Sequence, residues 1–166
     1  FRFLCMNAGR NFNLSEIARN LKVSPTAVSK SLINLKKEEI VIIKERGTMN
    51  LLSIELNLEN QRVMELKKVE NLEMIYESGL ISFLSEHLPG TTIILFGSYS
   101  RGDDTFSSDI DLAIIGRKEK SIDSSKFEKI LKKKIALNFY NNFKIIDKNL
   151  KNNLLNGVVL SGVLEL

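Results

Sequence analysis

Leu95 to Ile115, Leu-Phe-Gly-Ser-Tyr-Ser-Arg-Gly-Asp-Asp-Thr-Phe-Ser-Ser-Asp-Ile-Asp-Leu-Ala-Ile-Ile, decides how the rest of the chain is read. The apolar run from Thr91 to Phe96 that leads into it reads as a buried strand ending at Gly97. Glycine there lets the backbone turn sharply and come close to a ligand. Ser98 adds a hydroxyl and a backbone N–H, both able to bond phosphate oxygens. After a polar loop, Asp109-Ile110-Asp111 opens a second apolar run, Leu112 to Ile115, which reads as another strand. Residues two apart on a strand share a face, so Asp109 and Asp111 present their carboxylates together. Such a pair repels itself unless a cation sits between the two groups, and hard oxygen donors suit Mg²⁺. The stretch reads as a phosphate cradle opposite a magnesium site. The plainer alternative is a Gly-Ser turn and a solvated carboxylate pair at a strand start.

Gly97-Ser98, ten intervening residues, then Asp109-x-Asp111 resembles the signature of the polymerase-β-type nucleotidyltransferase superfamily. Arg101-Gly102 and Ser108 further resemble the form found in the minimal nucleotidyltransferases. The resemblance implies a nucleotidyltransferase fold, a mixed β-sheet backed by helices. It also implies an NTP substrate, ATP first among candidates. In it Asp109 and Asp111 are catalytic metal ligands for Mg²⁺, and Gly97 and Ser98 hold the nucleotide's phosphates. Ser98 belongs to the catalytic set, and Arg101 is the nucleotide-binding residue that steadies negative charge. The minimal members include antitoxins that modify a partner toxin, so a protein hydroxyl is one candidate acceptor.

The same resemblance implies a third carboxylate on the third strand, completing a two-metal site and taking the acceptor's proton. Ile135 to Tyr140 alternates as that strand, and it offers Ala136 and Asn138 at the expected place. An amide oxygen can ligate a cation but cannot carry charge or accept the proton. Asp104, Asp123 and Asp147 are the other carboxylates that a loop or helix would have to supply. Around this strand, Ser121 to Lys134 reads as a helix capped by Ser121 or Ser124. Its Lys132-Lys133-Lys134 end reads as a solvated face suited to a helix C-terminus. Phe143 to Leu155 reads as a last helix and Val158 to Leu160 as a last strand.

Charge is unevenly placed. Residues 1–56 hold nine Lys/Arg against five Asp/Glu, whereas residues 57–166 hold fifteen of each, so the whole net charge of +4 sits in the first segment. A polyanion partner is therefore sought there. Phe1 to Met6 reads as the end of a helix stopped near Gly9. Asn13 or Ser15 caps a second helix, whose apolar face is Leu14, Ile17, Ala18 and Leu21. Ser24 caps a third, Pro25 to about Lys37, with Pro25 at the first helical position and Val28, Leu32 and Leu35 inward. Ile40 to Ile43 and Leu51 to Leu56 flank Lys44-Glu45-Arg46-Gly47-Thr48, a basic hairpin with a glycine turn. This order resembles a winged helix-turn-helix across residues 12–56. The resemblance implies that the third helix enters the major groove of double-stranded DNA and the wing touches its backbone. Thr26, Ser29, Lys30 and Asn34 are then the candidate base or phosphate contacts, and Lys44 and Arg46 the phosphate contacts. A protein-docking module is the other use of such a fold.

From Leu58 the pattern is helical for about twenty residues, with Val63, Leu66, Val69, Leu72 and Ile75 or Tyr76 at three- and four-residue spacings. It reads equally as a connector or as a homodimer seam. Gly79 breaks it, Leu80 to Leu88 forms a shorter helix, and His87 serves that helix's C-terminus. The expected architecture is α+β, in three parts: 1–56 winged helix, 57–78 connecting helix, 79–166 nucleotidyltransferase-like domain. The single Cys5 excludes an intrachain disulfide and reads as a small buried hydrophobe. No run reaches transmembrane length, so no membrane partner is expected. The chain starts at Phe1, which reads as a trimmed fragment whose leader could have been lost, and cytoplasm is the working expectation. Kinase-type phosphate loops and Cys/His zinc spacings are missing from the sequence. Two functions fit: an enzyme moving a nucleoside monophosphate from an NTP to an acceptor, or a DNA-binding regulator whose degenerate transferase domain senses nucleotide.

Overall fold

The computed structural model describes residues 1–46 and 51–164; the glycine turn expected at Gly47 and the Arg46 side chain lie outside the described residues. The chain divides into two compact units, Phe1–Lys67 and Lys68–Leu166.

In the first unit three helices, α1 (Arg2–Met6), α2 (Leu14–Leu21) and α3 (Pro25–Lys37), precede an antiparallel pair, β1 (Val41–Arg46) and β2 (Leu51–Leu56). Local chemistry sets the helix starts. Asn13 Oδ1 accepts from Glu16 N at 2.9 Å while Glu16 Oε2 accepts from Asn13 N at 2.7 Å, a reciprocal cap that satisfies two otherwise orphaned donors. Ser24 Oγ accepts from Ala27 N at 3.2 Å, and Pro25 follows where a missing N–H is harmless. Lys22, in the left-handed region at φ 55°, turns the chain between the two helices. Leu4, Cys5, Ile17, Ala18, Val28, Leu32 and Ile54 form one buried cluster, so all three helices pack on the strand pair through their apolar faces. Phe12 adds a short antiparallel bridge to Ile54.

Helix α4 (Gln61–Glu77) carries the chain across the boundary between the units. The second unit then runs α5 (Leu80–His87), β3 (Thr92–Phe96), α6 (Gly97–Arg101), β4 (Ile110–Ile115), α7 (Ser125–Leu131) and β5 (Ile135–Tyr140). It closes with a 3₁₀ turn at Phe143–Ile145, α8 (Lys148–Leu155) and β6 (Val158–Ser161). The sheet order is β5-β4-β3-β6. β4 and β5 are parallel, joined by the α7 crossover, while β3 is antiparallel to both β4 and β6. Ile94, Ala113 and Ile115 on one face pack with Phe143, Ile146 and Leu154. Ile93, Leu95, Ile110, Leu112 and Ile114 alternate with them onto the other face and are fully buried. A sheet covered on both faces explains why its central strands read as near-continuous apolar runs. Among the described residues, no helix is long and apolar enough to cross a membrane.

Three sequence expectations change. The helix expected over Ser121 to Lys134 spans only Ser125–Leu131. Asp123 Oδ1 takes the Ser125 N–H at 3.0 Å, and Lys132 leaves the helix in the left-handed conformation at φ 54°. The helix expected over Phe143 to Leu155 is interrupted at Ile146, which is extended; Asp147 Oδ1 then caps α8 by accepting from Asn149 N at 3.0 Å and Leu150 N at 3.1 Å. Lys133, expected on a solvated face, is buried at 7% exposure.

Candidate active site

The site is built where β3 turns into α6 beside the start of β4. Phe96 at the end of β3 stands opposite Asp111, the second residue of β4, so the turn is held against the strand that carries the carboxylate. Gly97 has φ +73°, and a Cβ placed on it would stand 2.5 Å from Asp111 Oδ2. Only glycine permits both the backbone conformation and that approach. Ser98 is the second residue of α6, half-buried. Ser100 Oγ donates to Gly97 O at 2.8 Å, and Gly102, left-handed at φ 83°, ends the helix.

Asp109 precedes the first residue of β4 and is exposed, whereas Asp111 lies within the strand and is half-buried. Burial raises the Asp111 carboxyl above the ordinary aspartate value, and the negative charge of Asp109 raises it further. Both causes oppose ionisation, and a cation between the two groups would offset both. The donor set is hard oxygen, which fits Mg²⁺.

Arg101 is exposed and donates from Nε and Nη2 to Asp103 Oδ2, each at 3.2 Å. On the other side of β4, parallel pairing sets Ala136 directly beside Asp111 and Asn138 beside Ala113. Paired residues in a sheet share a face, so Ala136 holds the position nearest the Asp111 carboxylate. Asn138 Nδ2 points to main-chain oxygens, Leu112 O at 3.4 Å and Ala136 O at 3.5 Å. The alternative carboxylates are engaged elsewhere: Asp123 accepts from Ser125 N just before α7, Asp147 caps α8, and Asp104 is wholly buried in an ion pair with Lys133. Among the described residues, no third His, Cys, Asp or Glu joins Asp109 and Asp111 in a cluster. Sequence reasoning missed Lys133, whose neighbours in the run, Lys132 and Lys134, are exposed as expected.

In the first unit, Thr26, Ser29, Lys30 and Asn34 are all exposed along α3. Lys44 is exposed but paired with Glu55 at 3.1 Å across the strands, which offsets its charge.

A family model described as a nucleotidyltransferase domain matches residues 77–160, a span that includes Gly97, Ser98, Asp109 and Asp111. No curated protein and no solved structure matches the chain.

Proposed function

We propose magnesium-dependent transfer of a nucleoside monophosphate from an NTP, ATP first, as the activity of this chain, which belongs to the nucleotidyltransferase domain family. The family implies a nucleotide substrate and a nucleotidyltransferase-like function. The observation that carries the finer reading is the Asp111 carboxylate lying against Gly97, with Asp109 near enough to raise its pKa. Asp109 and Asp111 would hold the ion, and Gly97 and Ser98 would receive the phosphates, for which the glycine leaves the backbone open. A divalent ion there supplies Lewis-acid stabilisation of charge on the transferring phosphoryl group. Ser98 supplies hydroxyl and N–H donors to non-bridging oxygens, and Arg101, released from Asp103, a cation for departing charge. A hydroxyl of a partner protein is the proposed acceptor.

A second reading is favoured by one observation, Ala136 beside Asp111 where a proton-accepting carboxylate would stand. On that reading the second unit binds Mg·NTP without efficient transfer and reports nucleotide to the first unit. The first unit is read as a winged helix for double-stranded DNA, supported by the exposed Thr26, Ser29, Lys30 and Asn34 on α3 and by the +4 charge of residues 1–56. A cytoplasmic site agrees with the lone buried Cys5. A homodimer is supported by Val69 and Tyr76, exposed apolar side chains seven residues apart on α4.

Incubation with labelled ATP, GTP, CTP or UTP and Mg²⁺, with calorimetry of Mg·NTP binding alongside, tests the proposal. Wild type is expected to bind Mg·NTP and the Asp109→Asn/Asp111→Asn variant is not, because neutral amides do not balance the cation. Equal affinity in the two proteins refutes the site. Binding without pyrophosphate release selects the second reading.

A further inference from the structure

Lys133, Asp104 and Asn71 form a buried polar cluster beneath the loop that joins α6 to β4. Lys133 is 7% exposed, Asp104 0% and Asn71 1%. Lys133 Nζ lies 3.2 Å from Asp104 Oδ2, and Asn71 Nδ2 donates to Asp104 Oδ1 at 2.7 Å and to Tyr99 O at 2.9 Å. A buried ion pair is often no more stabilising than an apolar replacement, so net stability is a poor account of it. What the ammonium does besides pairing is donate to the main chain, to Thr105 O and, at 3.3 Å, to Ser108 O.

Those carbonyls belong to the turn that delivers Asp109. Ser108 N donates to Thr105 O at 3.1 Å, and Thr105 N donates to Ser108 Oγ at 3.0 Å, so residues 105–108 close on themselves. Immediately after Asp109, Ile110 N donates to Lys134 O at 2.8 Å. Asp109 is thus bracketed: the carbonyl before it is held by the Lys133 side chain and the N–H after it by the Lys134 carbonyl. The Asp109 side chain is exposed, so packing does not fix it, and the main chain on either side must. Asp104 holds Lys133 in place, and Asn71 ties Asp104 to the Tyr99 carbonyl of α6, the helix that begins at Gly97. Through four hydrogen bonds and one ion pair, both halves of the site refer to one buried ammonium.

We infer that Lys133 is a positioning residue that sets the separation of the Asp109 and Asp111 carboxylates and hence the affinity for the divalent ion. The inference rests on the metal-site reading above. It explains why a lysine in a run of three is buried while its two neighbours are exposed. Partners that orient metal ligands typically change metal affinity by about 10–100-fold when lost.

The test uses the full chain and separates this role from support of the fold. Lys133→Met alone removes one member of a buried ion pair, so the informative protein is Lys133→Met/Asp104→Asn, which removes both charges of that pair and keeps an acceptor for Asn71. ATP binding is measured by calorimetry across a Mg²⁺ titration, with thermal melting alongside. The expected result is a melting temperature close to wild type and a half-saturating Mg²⁺ concentration raised about tenfold or more. An unchanged Mg²⁺ requirement in the folded double variant overturns the inference while leaving the metal site intact. A large drop in melting temperature with no separate Mg²⁺ effect also overturns it, since the cluster would then serve only the fold. If wild type shows no Mg²⁺-dependent ATP binding, the metal-site reading fails first and this inference falls with it.

Discussion

Gly97→Ala tests the site with one methyl group. The substitution has two separable effects. At φ +73° an alanine is held in the left-handed region, which costs about 1–2 kcal/mol wherever it occurs. The new Cβ would also stand 2.5 Å from Asp111 Oδ2, where ordinary contact begins at 3.4 Å, so the carboxylate must retreat by roughly 0.9 Å. Metal ligation tolerates errors of only about 0.2 Å, and a misplacement near 1 Å at a reacting centre costs on the order of a hundredfold. Gly79→Ala is the control, because Gly79 has φ +77° but nothing within 4 Å of a Cβ. Both variants should lose similar stability by thermal melting. Calorimetry should find Mg·ATP affinity down by about a hundredfold in Gly97→Ala and near wild type in Gly79→Ala. Equal affinity in the two variants would refute the assignment of Asp111 to the ion and of Gly97 to the cradle.

Three further outcomes follow from the same geometry. Because the Asp111 carboxyl is raised, by burial first and by the Asp109 charge second, Mg²⁺-dependent nucleotide binding should fail at a higher pH than an ordinary aspartate would set. For the metal-free fold the sign reverses: the Asp111 contribution to stability is present below the unfolded-chain value of about 3.9 and is lost as pH rises through the raised folded value. The same pH dependence of melting in wild type and Asp111→Asn across that window would contradict this. In DNA binding, Lys30→Ala should lower the log–log salt slope by about one, and Lys44→Ala by less, since Glu55 already pairs with it; a slope unchanged by Lys30→Ala would point α3 to a protein partner. Ala136→Asp should raise pyrophosphate release by about a hundredfold, the usual scale of a general base, and Asn138→Asp by less, because it pairs one step farther along the strand. No gain from Ala136→Asp, or a gain that survives Asp109→Asn, would remove the idea of a missing base.

What could be read from the sequence was what neighbouring residues decide among themselves. Asn13 and Ser24 cap helices through bonds that reach three residues, and Asp109 and Asp111 share a locality because they are two apart on one chain. Lys133 was illegible for the opposite reason: its partner Asp104 lies twenty-nine positions earlier in sequence, and a run of three lysines has no internal sign of which one turns inward. The position beside Asp111 was half legible. Alternation along β5 marks Ala136 and Asn138 as equivalent, since a period of two cannot rank members of one face. Only the pairing of β4 with β5 ranks them, and it sets Ala136 beside Asp111. Register between strands is a tertiary quantity, fixed by the α7 crossover and by which apolar residues meet across the sheet. The carboxylate pair proposed to hold a cation is therefore a local message, whereas the alanine beside Asp111 and the buried ammonium that holds the carbonyl before Asp109 are both messages of the fold. An enzyme and a nucleotide sensor would share the first and differ in the second. The difference between the two readings thus rests on Ala136, a residue whose own chemistry says nothing until its neighbour across the sheet is known.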